Sequence, residues 1–266
     1  MLIHYYRLQF IGIKSEGMIN YLKELSKYEI TSNFNKEGLE LCDNGEYHKG
    51  IEKYNKILEL NPKCAEAYFN IGNAYQDLGS YEEAILNFKK GLELREQDPY
   101  GYYNMGNAYG LLDKSEDAIK CYDKSISINS EEPSFYFNKG NQLYIIGKLE
   151  EAIEMYDKAI RLDQYKSNAY FEKGFVLQKL GEFNEAIKCY DKVIELEPDD
   201  DIAYYNKGNN LYEVGRREEA LLCFDEAIKL NPNDADFFYN KGLILTKLGR
   251  MQEAKRCFDE YRRLLS

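Results

Sequence analysis

Asn70, Asn104, Asn138, Asn206 and Asn240 stand at multiples of 34 residues from one another, and Asn73, Asn107, Asn141 and Asn209 repeat the interval three residues later. A side-chain amide carries donors and acceptors together. Amides at regular spacing can therefore pair with the backbone of an extended peptide, whatever its sequence. One residue before the first column runs a column of aromatics: Phe69, Tyr103, Phe137, Phe171, Tyr205 and Tyr239. These rings supply apolar area beside the amides, and Tyr100, Leu111, Tyr144 and Ile145 extend it in the least charged stretch. The chemistry is that of recognition. Two roles stay open for the asparagines, contact with a guest or a bond to the neighbouring unit that fixes the pitch of an array. The rings, likewise, can face a guest or pack partly between helices.

Nothing in the chain has the pattern of a reaction centre. The two histidines, His4 and His48, have no ligand or triad partner at a recognisable spacing. The pairs Glu82-Glu83, Glu150-Glu151 and Glu218-Glu219 open helices, where acidic residues suit the dipole. The glycines lie too far apart to cradle a phosphate. We expect neither enzymatic activity, nor a cofactor, nor a metal. Cys121, Cys189, Cys223 and Cys257 share one column, while Cys42 and Cys64 do not. Stacked helices place equivalent residues about 10 Å apart, beyond the reach of a disulfide. Free thiols in a reducing cytosol are the expected state.

The elements that hold these columns follow from the same interval. Gly38, Gly72, Gly106, Gly140, Gly174, Gly208 and Gly242 recur every 34 residues, which marks an array of small repeated units. The frame runs 31–64, 65–98, 99–132, 133–166, 167–200, 201–234 and 235–266. Positions four, eight and eleven of a unit form one face of a helix, and positions twenty, twenty-four and twenty-seven form another. Position four is aromatic (Tyr102, Tyr136), position twenty is small (Ala118, Ala152) and position twenty-four is aromatic again (Tyr122, Tyr156). A second glycine at position fifteen, with Asp113 the exception, supplies a left-handed residue to end the first helix. Each unit thus reads as helix, turn, helix. The five prolines all fall at joints between units. The glycine at position eight lies inside a helix, at a cost of about 1 kcal/mol relative to alanine, and close approach of the partner helix would offset it.

This pattern resembles the tetratricopeptide repeat (TPR) family across residues 31–266, in segments such as Tyr204-Tyr205-Asn206-Lys207-Gly208-Asn209 and Asn231-Pro232. Tyr or Phe stands where the family has tryptophan, and position thirty-two varies where proline is usual. The resemblance implies an all-α, right-handed superhelical solenoid of seven helix-turn-helix repeats, used for protein–protein contact. It also implies that positions two, five, six, nine, twelve and thirteen line a concave groove. The expected peptide-binding set is then Phe69, Asn70, Asn73, Tyr103, Asn104, Asn107, Phe137, Asn138, Asn141, Tyr144, Phe171, Tyr205, Asn206 and Asn209. Some members clamp a C-terminal carboxylate with lysine at position five and asparagine at position nine of the first repeat. Asn35 and Leu39 stand there in this chain, which argues against such a clamp. At unit five Glu172 and Phe175 replace the amides.

A net charge of −11 suits a protein or peptide partner and argues against nucleic acid, whose binding needs clustered Lys and Arg. No segment has the length to span a membrane. The expected setting is cytoplasmic, with a monomer or weak homodimer. Residues 1–30 lie outside the array: Met1–Lys14 does not read as a signal peptide, Met18 offers an alternative start, and a short amphipathic helix is expected over 18–29. At the far end Lys255 and Arg262 replace apolar residues of earlier units, as a capping repeat requires, so the array is expected to stop there. Besides a peptide-binding scaffold, two further roles fit the chain: an oligomerising element, and a targeting or regulatory subunit of a separate enzyme.

Overall fold

The computed structural model describes residues 16–266, and all regular structure among them is helical. The readings made on Met1–Lys14 and on His4 lie outside the described residues. Contacts divide the chain into two compact bodies that meet in sequence at Asn129 and Ser130. The first holds α1 (Glu16–Asp43), α2 (Tyr47–Leu60), α3 (Ala65–Asp77), α4 (Tyr81–Leu94), α5 (Pro99–Leu111) and α6 (Ser115–Ile128). The second holds α7 (Pro133–Ile145), α8 (Leu149–Leu162), α9 (Ser167–Lys179), α10 (Phe183–Leu196), α11 (Asp201–Glu213), α12 (Arg217–Leu230), α13 (Ala235–Lys247) and α14 (Met251–Leu265). Within each body, successive helices pair as hairpins, and each hairpin packs on the next in chain order.

The expected short helix over 18–29 does not stand alone. Those residues open α1, which runs unbroken to Asp43. Between Gly17 and Gly38 the sequence has neither glycine nor proline, so nothing interrupts the backbone where later units have a joint.

Each hairpin closes through a left-handed residue. Gly147 has φ 78°, the Gly147 amide donates to the Tyr144 carbonyl at 2.9 Å, and Lys148 donates to Leu143 at 2.9 Å. That pair of bonds satisfies carbonyls the helix would leave orphaned. Asp113 makes the equivalent turn at φ 56°, with its amide on Gly110 and that of Lys114 on Tyr109. At the joints, Asp98 accepts from the Gly101 amide at 2.8 Å and Glu132 from the Ser134 amide at 3.2 Å. Pro99 and Pro133 occupy the next position, where no amide is needed.

The core of a hairpin is a ring laid on a glycine. A Cβ placed on Gly140 would sit 2.7 Å from Tyr156 Cε1, and one on Gly106 would sit 2.8 Å from Tyr122 Cε1. Both rings are buried, as are Ala118 and Ala152 beside them. The close approach inferred from the glycine column is therefore real, and the object that needs the room is the aromatic of position twenty-four. Its hydroxyl also has a place. Tyr122 donates to Asn107 Oδ1 at 2.8 Å, and Tyr156 donates to Asn141 Oδ1 at 2.9 Å. In the next hairpin Phe175 stands in the asparagine's position, and the buried Tyr190 hydroxyl has no partner among the described residues.

Ion pairs stitch neighbouring hairpins of the second body. Lys173 meets Asp157 at 2.6 Å, Lys207 meets Asp191 at 2.6 Å, and Lys241 meets Asp225. Each lysine is position seven of one unit and each acid is position twenty-five of the unit before. The lysines are the more sheltered partners, which favours these pairs over freely exposed ones.

Five substitutions test this packing in thermal or urea melts. Gly140→Ala should destabilise the protein by about 1–2 kcal/mol through overpacking, although helix propensity alone favours alanine by about 1 kcal/mol. Asp113→Gly should stabilise, and Gly147→Ala should destabilise by about 1–2 kcal/mol, because only glycine takes a left-handed turn without steric cost. Tyr156→Phe should lose about 1 kcal/mol with its hydrogen bond, whereas Tyr190→Phe should be neutral or stabilising because it removes an orphaned hydroxyl.

Candidate functional site

The amide and aromatic columns lie on the first helices, where they meet both the partner helix of their own hairpin and the neighbouring hairpin. The structure links the amides from one hairpin to the next. Asn104 Nδ2 donates to Asn73 Oδ1 at 3.0 Å, and Asn240 Nδ2 donates to Asn209 Oδ1 at 3.2 Å. Position six thus reaches back to position nine of the preceding unit. At the first joint, where position nine is Leu39, Asn70 donates to Asn35 Oδ1 at 2.8 Å instead. Position nine thus serves the next hairpin at Asn73 and Asn209, and the core of its own hairpin at Asn107 and Asn141. Each amide has two donors and two acceptor sites, so a single bond leaves capacity for a further partner. Asn73 is exposed, and Asn70, Asn104, Asn107, Asn138, Asn141, Asn206 and Asn209 are half-buried.

The aromatics of position five lean on the core rings. Ring centroids lie 5.9 Å apart for Tyr103 and Tyr122, 6.0 Å for Phe137 and Tyr156, 5.7 Å for Phe171 and Tyr190, and 5.8 Å for Tyr205 and Phe224. These are favourable aromatic pair distances. Phe69 is wedged beside Gly91 and Gly101, which have no side chain to obstruct it. Arg95 lies over the Phe69 ring and Lys166 over the Phe137 ring. These rings are half-buried, with one side in the packing and the remainder toward solvent. The freest apolar surface on this side belongs to residues nearer the helix ends. Leu111 is 53 % exposed and Ile145 is 61 % exposed. Tyr144 is half-buried, its ring 5.8 Å from that of Phe175.

Unit five breaks the pattern in charge as well as in hydrogen bonding. Burial raises the Glu172 carboxyl above the usual carboxylate range. With Glu197 and Asp200 it lines a cavity of about 330 Å³, whose apolar part is Phe171 and Ile202. Burial also pushes the Tyr190 hydroxyl upward, with the charges of Cys189 and Glu172 adding to the effect.

The columns named from sequence leave out one polar residue that the structure places against this face. Position ten is small or apolar in four units (Ala74, Ala108, Val176 and Ile244) and polar in three (Glu40, Gln142 and Asn210). Asn210 is the fully buried one among the polar three, and the mixed column gave no signal that singled it out. By contrast, the recurring lysine at position seven and acid at position twenty-five would have pointed to the ion-pair stitches.

The remaining reactive groups are muted. All six cysteines are free thiols; burial pushes Cys121 up to about 12 and Cys189 to about 11. A thiol held that far from ionisation is a poor nucleophile. Among the described residues no group of three His, Cys, Asp or Glu side chains could hold a metal ion, and no helix is long and apolar enough to cross a membrane.

Known proteins share this architecture. A TPR repeat model matches residues 38–79, 72–113, 140–181 and 208–249, and a tetratricopeptide repeat model matches residues 99–132 and 167–200. No curated protein matches the chain. Among solved structures, YrrB, a TPR protein with an unusual peptide-binding site, is 26 % identical with a TM-score of 0.63, over 72 % of this chain and 98 % of YrrB. The MamA protein is 26 % identical with a TM-score of 0.60, over 65 % of this chain and 94 % of its own. The C-terminal part of a TPR repeat-containing protein from Cytophaga hutchinsonii superposes with a TM-score of 0.75 at 18 % identity, over 86 % of this chain and 94 % of that one, a likeness of fold. With helix-turn-helix units throughout the described residues and family models matching most of its length, this chain belongs to the tetratricopeptide repeat family.

Proposed function

We propose that the protein is an interaction scaffold that takes an extended segment of a partner protein along the open side of its first helices. TPR proteins generally act by binding other proteins, and one similar structure is described by its peptide-binding site. The observation that carries the reading here is the coincidence, on one side of the first helices, of amides with spare hydrogen-bonding capacity and exposed apolar residues. In this reading Phe69, Asn70, Asn73, Tyr103, Asn104 and Asn107 serve the first body. Phe137, Asn138, Asn141, Tyr144, Phe171, Tyr205, Asn206 and Asn209 serve the second. The amides have a double duty, since the same groups tie neighbouring hairpins. The protein contributes no chemistry of its own and works in a reducing, cytoplasmic setting that keeps its thiols free.

The double duty dictates the test. Asn141→Ala would orphan the Tyr156 hydroxyl and confuse stability with binding. Leu111 and Ile145 carry no such burden. A peptide array should first supply a ligand. Leu111→Ser with Ile145→Ser should then weaken it by about tenfold or more while leaving the melting curve close to the parent's. Undiminished affinity would overturn the groove reading.

A second reading draws on α1, where Tyr21, Tyr28 and Ile30 are exposed large apolar residues ahead of the repeats. Such a surface fits self-association. Light scattering compares the full chain with one beginning at Thr31: a dimer that becomes a monomer supports an oligomerising role, and equal masses reject it.

A further inference from the structure

We infer that the second body contains a subsite for a cationic, N–H-donating side chain, an arginine or lysine of the bound segment, with Asn210 at its floor and Glu213 at its rim. The inference deepens the groove reading and rests on it for the source of that side chain.

Asn210 is 0 % exposed. Its Nδ2 donates to the Asn206 carbonyl at 2.7 Å and to Gln178 Oε1 at 2.8 Å. A main-chain carbonyl can only accept, so the amide cannot be turned the other way round, and both of its N–H groups are committed. Asn210 Oδ1 is left buried, acceptor-only and without a donor among the described residues. A buried acceptor in that condition carries a desolvation penalty that an incoming donor relieves. The residue lines a cavity of about 470 Å³ between the hairpins of the second body.

The rest of the lining selects the donor. Asn209 and Asn240 are already joined to each other, Asn209 Oδ1 accepting from Asn240 Nδ2. Glu213, one helical turn beyond Asn210 and on the same face, is the only ionisable acid in the lining. It is exposed, and no lysine or arginine among the described residues pairs with it. The lining contains no positive charge. Leu243, 41 % exposed, forms an apolar wall. An aliphatic stem fits that wall while its charged head meets Glu213, and a small shift of the side chains over the buried Asn210 admits a donor to its Oδ1. A guanidinium, with five donors in a planar fork, can serve a neutral and an ionised oxygen at once. A carboxylate or phosphate group would meet an acceptor and a like charge, and is disfavoured.

A small probe separates this subsite from the groove as a whole. The full chain is titrated at low ionic strength with N-acetyl-arginine amide, N-acetyl-lysine amide, N-acetyl-citrulline amide and N-acetyl-leucine amide, while the side-chain amide resonances of Asn209, Asn210 and Asn240 are followed by NMR. The expected result is saturable shifts with the arginine or lysine probe, weaker shifts with citrulline and none with leucine. Glu213→Gln, an exposed change that leaves the fold alone, should weaken the cationic probes by about threefold. Equal shifts from citrulline and arginine, or indifference to Glu213→Gln, would overturn the cationic assignment. Shifts with leucine, or with no probe, would overturn the subsite. Those failures leave the groove reading to the Leu111 and Ile145 variants, which lie outside this cavity.

Discussion

An aromatic ring packed against a glycine sets the geometry of the hairpins in this protein. The two helices approach as closely as they do because Gly106 offers no side chain to Tyr122, and Gly140 none to Tyr156. The small residue at position twenty completes the same contact. The arrangement is cooperative. The ring excludes water from the helix pair, its hydroxyl emerges at the far edge, and an asparagine of the first helix receives it. A glycine that weakens the helix locally thus permits the burial that stabilises the hairpin. Because each hairpin repeats the device, neighbours inherit the same spacing and can be joined by the same short list of bonds.

Those joints explain why recognition and architecture are hard to separate here. The amides of positions six and nine, which the proposed reading assigns to a guest, also connect adjacent hairpins, as between Asn104 and Asn73. The aromatics of position five give part of their surface to the core rings. In the proposed reading, a face held in register by these bonds would spend less ordering free energy on binding. Variation along the face comes from the departures. Glu172 and Phe175 bring a burial-raised carboxyl and an apolar ring into the amide columns, and Asn210 brings an unmet acceptor.

Much of this was legible in the residues. The glycine and aromatic columns specified paired helices, and the turn glycines with Asp113 located the hairpin bends, because periodicity and φ preference are local properties. The prolines marked the joints for the same reason. The continuous α1 was not legible, since helix propensity alone does not say whether two adjoining helical segments fuse. Nor could spacing decide how the amides divide between neighbours and solvent. A wheel assigns Asn107 to a face, but only coordinates reveal that Tyr122 reaches it from the other helix. Asn210 escaped for a different reason: its column, position ten, mixes polar and apolar residues, and its significance is a hydrogen bond it does not make.

The central claim is that the ring-on-glycine hairpins leave the far side of the first helices as the surface that meets a partner. Photo-cross-linking of a bound peptide, with the attached residues identified by mass spectrometry, examines this most directly. The account predicts cross-links at Leu111, Ile145 and Leu243, all exposed on first helices. Cross-links concentrated instead at Leu86 and Leu222, which are exposed on second helices, would contradict it.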